Sequence, residues 1–431
     1  MIANRLSINN IKKITSEVGW IVTGQFANIA SALVLVRILT SYMEPAEYGV
    51  LALALTAVGF TNIVLIGTAS AGAGRFYSIA KEGVNFPAYA MAAQVQIIAI
   101  CVFILIITCF VDLILWVSGY DSLIKLTTLT AIYALVSGVG SYLSGIQTAA
   151  RERSIVALHN GLDGWLKVLL IMGVALYSEI TVNTVIFCMF LSSLIVVFSQ
   201  LIFYKKSIGL ILKVKKKKIE SIASRCWIDR IWQYAWPFAI WGVFGWVQQS
   251  SLRWALELYS SRAEVGYFSL LSQIGYTPIQ LFAGLSATYL MPIIFSKVGT
   301  AKNEEKNRGM HLVIDKILLI TFGLTLCGVI TAIIFHKVIF TLFTGQEYQG
   351  LSPYLPFLVF AGGIFSAAQL VSGRMMAMLQ TNRILIASIG SSIIGILAAF
   401  IGAFFWGLQG VILSLVIHAI TYLLWLLYLE R

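Results

Sequence analysis

Charge is scarce in this chain. Asp, Glu, Lys and Arg make up 11% of its 431 residues, where a soluble globular domain holds roughly 25%. That shortage excludes an apolar core wrapped in a charged shell. Acids are the rarer sign, 18 against 30 bases, and none form pairs at catalytic spacing. No Ser/His/Asp set and no cluster of metal ligands stands out. Cysteine offers as little chemistry: 5 residues, an odd number, at 101, 109, 188, 226 and 327. Their spacing matches neither a metal site nor a redox pair. Four lie in apolar runs, so they read as small apolar residues in helices. A secretory cleavage site is lacking too. MIANRLSINNIKKITSEVGW at the N-terminus puts basic residues before an apolar stretch, as a signal would. That stretch runs on to about residue 39 with no small-residue cleavage motif. It is expected to be a retained first membrane helix.

Apolar residues, by contrast, make up 59% of the chain and come in runs such as 97–111 and 393–406. Runs of about 20 mostly apolar residues cross a bilayer as helices. The fold class is therefore an all-α polytopic membrane protein. Twelve spans are expected, near 18–39, 48–74, 87–111, 122–148, 156–177, 182–204, 232–252, 266–295, 313–335, 352–378, 384–405 and 410–428. Several are longer than a perpendicular helix needs, which tilt or kinking explains. Gly59, Gly67, Gly72 and Gly74 in the second span can bend it, as can Gly275, Pro278, Gly284 and Pro292 in the eighth.

Lys and Arg gather on the cytoplasmic side of membrane proteins. With a cytoplasmic N-terminus, only Arg37, Lys125, Arg253, Arg262 and Lys337 fall at the outer side. Both termini are thus expected in the cytoplasm. The run KVKKKKIESIASR at 213–225 is either a plain topogenic loop or a lipid-headgroup contact. The net charge of +12 is mostly this same signal and calls for no nucleic acid.

One phrase occurs twice. VRILTSYMEPAEYGVLALALT stands at 36–56 and LRWALELYSSRAEVGYFSLLS at 252–272. Each has an Arg near the outer end of an odd-numbered span, then a short loop, then Ala-Glu-x-Gly, then the next helix. The chain is therefore expected to form two pseudo-symmetric six-helix bundles, at 1–204 and 232–431, joined by a basic cytoplasmic linker at 205–231. An even number of spans per half makes these parallel repeats. Such repeats are typical of transporters, with the substrate path between the halves and one half rocking against the other.

The stretch from Arg37 to Gly49 resembles the start of polysaccharide-exporting flippases of the Wzx type. LRWALELYSSRAEVGYFSL (252–270) resembles the start of their second half, and GTASAGAGRFY (67–77) the glycine-and-arginine end of their second helix. The resemblance extends loosely over the whole chain. It is specific at the level of the multidrug/oligosaccharidyl-lipid/polysaccharide (MOP) exporter superfamily, which also holds the MATE drug and toxin exporters and the peptidoglycan-precursor flippase. One departure is Leu252, where many members carry an acid before the Arg matched by Arg253. The resemblance implies a MATE-like fold and a job. A polyprenyl-diphosphate-linked oligosaccharide would be turned from the cytoplasmic to the outer face of a bacterial inner membrane, for O-antigen, capsule or exopolysaccharide synthesis. The sugar and diphosphate would enter a V-shaped cavity while the lipid tail stays among membrane lipids. A polysaccharide polymerase and a chain-length regulator would be its partners. No cofactor is implied beyond H⁺ or Na⁺ as a coupling ion.

A diphosphate calls for cations away from water, and ionisable residues inside spans are functional candidates by default. Lys167 is the most central, about 16 Å into the fifth span at 1.5 Å per residue. Asp163 and His159 precede it by one and two turns and share its helix face. Lys167 could bind the anion with Asp163 or His159 coupling an ion, or Asp163 and Lys167 could simply neutralise each other. Arg374, near the inner end of the tenth span, could face the cavity or snorkel to headgroups. Arg75 at the inner mouth could meet the diphosphate or anchor the interface. Arg37 and Arg253 at the outer mouth could draw the cargo outward or cap helix-end carbonyls. His418 reads as a satisfied buried histidine. For the sugars, Gln25 and Asn28 share a face of the first span, and Gln248 and Gln249 lie in the seventh; amides both donate and accept. The alternative is that amides join helices and that the 11 Trp and 18 Tyr belt the interfaces.

Two rivals remain. A cation-coupled small-molecule exporter would share the fold, but a dense set of buried carboxylates in one half would favour it. Here Asp163 is the one clearly mid-span acid of the first half. A membrane polysaccharide polymerase would need a long outer loop with polar catalytic groups, and the expected outer loops are short.

Overall fold

In the computed structural model, the described residues are 2–83, 86–214, 221–281, 304–378 and 380–430. Among them the regular structure is all helix. In a bilayer no water satisfies the backbone, and apolar runs of about 20 residues meet that need as helices, each bonding within itself. The helices are α1 (Ile2–Tyr42), α2 (Pro45–Phe60), α3 (Gly67–Glu82), α4 (Phe86–Val117), α5 (Asp121–Ala149), α6 (Arg153–Ala175), α7 (Val182–Val214), α8 (Ser221–Tyr259), α9 (Arg262–Leu271), α10 (Glu304–Phe343) and α11 (Leu355–Ala377). The last helical stretch, Thr381–Glu430, breaks at Gly407 into α12 (381–406) and α13 (408–430).

Nine segments among the described residues are long and apolar enough to cross a membrane. The expected eleventh and twelfth spans share one of these, Asn382–Glu430. The expected seventh, α8, is not among them. It is 39 residues long, but Trp232, Tyr234, Trp236, Trp241 and Trp246, with Gln248 and Gln249, lower its mean hydropathy. The eighth runs from α9 through a π-helical turn, Ser272–Tyr276, into residues outside the described set, where Gly284 and Pro292 fall. Residues 215–220 of the basic run lie outside it too. In the second span the helix widens to a π turn at Thr61–Ile66, just ahead of Gly67.

The chain forms two compact units that are not contiguous in sequence. One joins Met1–Ser31 to Leu53–Trp246, the other Ala32–Ala52 to Val247–Arg431. In the first unit, Tyr77, Phe86, Tyr89 and Tyr142 pack with Ala69, Ala73 and Ala93 in a core of large rings against small residues. Buried tyrosines need a partner for the hydroxyl. Tyr89 donates to the Ala73 carbonyl at 2.6 Å and Tyr142 to that of Ala93 at 2.9 Å. The first part of α8 belongs here. Trp246 Nε1 donates to the Thr56 carbonyl at 2.8 Å, its ring meets Phe60, and Ile231 and Ala235 pack on Gly72.

In the second unit, the end of α1 and the start of α2 are fastened to the α10–α11 connection. The Gly345 N–H donates to Thr40 Oγ1 at 3.0 Å, and the buried Tyr348 donates to the Met43 carbonyl at 3.2 Å. Tyr48 and Tyr267 meet the same Tyr348 ring edge-on. Helices α12 and α13 lie antiparallel: Gly395 packs on His418, and Arg383 donates to the Leu429 carbonyl at 2.7 Å. The reversal rests on Gly407, at φ 54° and ψ −130°. An L side chain is strained at positive φ, and a Cβ there would lie 2.6 Å from Glu264 Oε2. Gly407→Ala is expected to cost about 1–3 kcal/mol, read as a lower thermal midpoint of the purified protein.

Candidate functional site

The fifth span is α6, and its polar stripe forms inside the first unit. Small residues let α1 approach the neighbouring face: Gly24 meets Ala157, and Gly164 meets Ser31 with Asn28 beside it. The Asp163 carboxylate pairs with Lys167 one turn on. It also accepts a bond from Ser193 of α7 at 2.9 Å. Ser192 stands 2.9 Å from the Asp163 carbonyl and 3.2 Å from Oδ1. The Lys167 ammonium sits over the Tyr133 ring of α5, 5.6 Å from its centroid, a cation–π contact. Lys167 is only 15% exposed. His159 is buried and separately satisfied. A carbonyl oxygen can only accept, so His159 Nδ1 donates to Ile155 O at 2.8 Å, leaving Nε2 to meet Ser199 Oγ at 3.2 Å. Ser192, Ser193 and Tyr133 carry no signal a sequence reading could use, because two other helices bring them.

Arg75, on α3 of the same unit, is exposed and has no carboxylate within ion-pair distance among the described residues. Gln25 is half-buried, and its Oε1 has no partner among them. Gln147 shows the alternative use of an amide: it accepts from Gln200 at 2.8 Å and so joins α5 to α7.

The second unit holds the other three cations, and they share no partner. Arg37 donates to the Thr341 carbonyl in the last turn of α10, at 3.2 Å. That is the helix-end arrangement, where a cation meets the negative end of the dipole. Arg374, on α11, is buried between two carboxylates, Asp315 of α10 and Glu430 of α13. Its charge is already matched inside the unit. Arg253 is half-buried near the end of α8. It donates to Ser269 Oγ at 2.9 Å and lies over the Phe268 ring. With Leu252 beside it, it has no carboxylate partner among the described residues. Gln248 is half-buried and Gln249 exposed. His418 is buried against the Ser391 carbonyl at 3.1 Å.

The repeated Ala-Glu-x-Gly motifs meet each other in this unit. A Cβ on Gly49 would overlap the Arg262 carbonyl oxygen and lie 3.2 Å from the Gly266 nitrogen. A Cβ on Gly266 would overlap the Pro45 carbonyl and lie 3.2 Å from the Gly49 nitrogen. Each glycine thus packs on the carbonyl four residues before the other. Small residues let membrane helices approach backbone to backbone in this way. Glu264 serves a further turn: its carboxylate accepts from the Leu408 N–H at 2.7 Å and caps the start of α13, while its own N–H donates to the N-cap Ser261.

No protein-family model and no curated protein matches the sequence. Solved structures do. The chain is similar to the lipid II flippase MurJ in an inward closed conformation, at 14% identity and a TM-score of 0.65, covering 95% of this chain and 86% of that one. It is similar to an inward-facing multidrug resistance MATE family transporter of the MOP superfamily, at 17% identity and 0.62, covering 97% and 93%. A MOP superfamily transporter from Pyrococcus furiosus matches at 16% and 0.57, over 97% and 95%. The chain has the MATE-like fold. Together with nine apolar segments among the described residues, that makes it a multi-pass membrane protein, as its composition led one to expect.

Proposed function

We propose that this protein is a flippase that moves polyprenyl-diphosphate-linked oligosaccharide units from the cytoplasmic to the outer face of a bacterial inner membrane, by alternating access, for surface polysaccharide synthesis. The observation that carries the reading is a fold shared with a lipid II flippase in a chain whose Arg37–Gly49 and 252–270 stretches resemble Wzx-type flippases. The side-chain chemistry suits an anionic cargo. Arg75 and Arg253 have no described carboxylate to neutralise them, so each can offer its full charge to a diphosphate. Lys167 and Arg374 are matched by acids and would serve only if the cargo displaced them. Gln25, Asn28, Gln248 and Gln249 offer donors and acceptors to sugars. A polymerase and a chain-length regulator would act on the delivered units.

The test uses cells lacking this gene, from which lipid-linked oligosaccharides are extracted and assigned to a membrane face. Complete units held on the cytoplasmic face, with loss of surface polymer, are the expected result. Units reaching the outer face normally would refute the reading. In that case, single unpolymerised units there favour a polymerase, and normal polymer favours a cation-coupled small-molecule exporter. In complemented cells, Arg253→Ala is expected to lower flipping about tenfold, the loss of one charge-assisted contact of ~1.5 kcal/mol.

A further inference from the structure

The first part of α8, through Trp246, belongs to the first unit, and its two flanks differ in chemistry. Ile231, Ala235 and Gly242 turn inward to the second span. One flank carries Trp232, Trp236, Ile240 and Val243, exposed and apolar as a lipid-facing surface should be. The other carries Arg230, Tyr234, Phe238, Trp241 and Gly245, each three or four residues after the last and so on one helix face. Tyr234 meets Phe76 of α3 edge-on, with centroids 5.8 Å apart, and Phe238 at 5.4 Å. Arg230 lies over the Trp227 ring, 5.7 Å from its centroid, and has no carboxylate partner among the described residues. The Tyr234 and Trp241 rings are 38% and 39% exposed. Neither the Tyr234 hydroxyl nor Trp241 Nε1 bonds to another described residue, whereas Tyr89, Tyr142 and Trp246 of the same unit each donate to a carbonyl. A helical side chain leans back over the turn before it, so a side chain at 245 would cover Trp241. Gly245 leaves that ring bare, with nothing within 4 Å of an added carbon.

Lipid does not account for this flank. Hydrocarbon offers no acceptor for a hydroxyl or an indole N–H. Interfacial aromatic belts fill the headgroup layer, about 5–8 Å deep on each side, whereas the run from Trp227 to Trp241 extends about 21 Å along the helix axis. What fits is a ligand with apolar ring faces, many oxygen acceptors and an anion at one end: a sugar chain joined to a diphosphate.

We propose that this flank of α8 is a glycan track. Sugar-ring faces stack on Trp241 and Tyr234, the Trp241 Nε1 and the Tyr234 hydroxyl donate to sugar oxygens, and Arg230 meets the diphosphate. Tyr234 and Trp241 lie about 10 Å apart along the axis, the length of roughly two linked hexoses. Phe76 and Phe238 hold the Tyr234 ring in place. The proposal rests on the flippase reading and adds to it the residues that recognise the sugar.

The test measures binding of two lipids to the full-length protein in detergent. One is the lipid-linked oligosaccharide extracted from cells lacking this gene, the other bare polyprenyl diphosphate. Wild type is expected to bind the first more tightly. Trp241→Leu should bind it about tenfold more weakly, as truncating a buried aromatic anchor does, with the bare diphosphate unchanged. Trp241→Phe, which keeps a ring, should recover most of the loss. Gly245→Leu should show the same selective loss, because its side chain covers the Trp241 ring while filling open space. It decides the matter even where Trp241→Leu folds poorly. Arg230→Gln should weaken both lipids alike, and Trp236→Leu, on the opposite flank, should change neither. A Gly245→Leu protein that keeps the wild-type preference for the oligosaccharide would overturn the proposal, as would an equal loss in Trp236→Leu. Equal binding of both lipids by wild type would overturn it too, while leaving the flippase reading to the membrane-face assay. Wild type that binds neither lipid would count against the flippase reading itself, and the track would fall with it.

Discussion

Gly49→Ala and Gly266→Ala are each expected to lower the thermal midpoint sharply, although alanine is the better helix former by up to about 1 kcal/mol. The new methyl would overlap a carbonyl oxygen of the facing helix, Arg262 for Gly49 and Pro45 for Gly266. The obstacle is backbone, so no side chain can swing aside. The start of α2 and the start of α9 would have to part by more than an ångström. Overpacking of this kind costs about 1–3 kcal/mol, and Gly49→Val should exceed that. Other contacts would open with it, because Tyr48 and Tyr267 flank the crossing and both rest on Tyr348. Gly245→Ala is the control: it lies on α8 with nothing within 4 Å of the added carbon, so it should be neutral or slightly stabilising. Thermal unfolding followed by size-exclusion recovery measures all of these. If Gly49→Ala and Gly245→Ala unfold together, the two motifs do not meet as described.

The second large effect is expected at Arg374. Arg374→Met keeps much of the apolar stem but leaves Asp315 and Glu430 without their shared cation. Glu430 is 15% exposed and Asp315 59%. Most of the cost therefore falls on Glu430, since water screens the Asp315 charge. Breaking a buried pair by removing one partner costs about 3–5 kcal/mol, and the low end applies here. Glu430→Gln placed on Arg374→Met should return part of the loss, giving a coupling energy of about 1 kcal/mol or more. Arg374→Lys should fail to substitute, because one ammonium cannot copy the fork that engages two carboxylates at once. A double-mutant cycle read by thermal unfolding decides it. Additive losses would mean that Glu430 and Arg374 act independently.

Arg374 also marks where reading a sequence stops. Its place near the inner end of a span was legible. Its pairing with Asp315 and Glu430 joins residues on three helices through tertiary packing alone. The Asp163–Lys167 pair was legible because it is local: one helical turn separates the two, and helix geometry alone places them together. The structure shows the pair itself; whether Lys167 also meets an anionic cargo is a matter for the proposed function. Ser192 and Ser193 were out of reach, because only the packing of α7 on α6 brings them to Asp163. The partner of Arg37, the Thr341 carbonyl, lies 304 residues away in sequence, so only packing brings the two together.

The duplicated Ala-Glu-x-Gly phrase divides in the same way. Hydropathy and the sparse, one-sided charge by themselves determined an all-helical membrane chain, since apolar runs of about 20 residues fit the bilayer as helices that bond their own backbone, and are too long for the strands of a barrel. The repeat was equally plain in the letters. Only the tertiary structure decided that the two copies pack on each other within one compact unit, and that the units exchange segments across the sequence midpoint. Side-chain spacing fixes what lies on one helix face, whereas which faces meet depends on the packing of every helix at once.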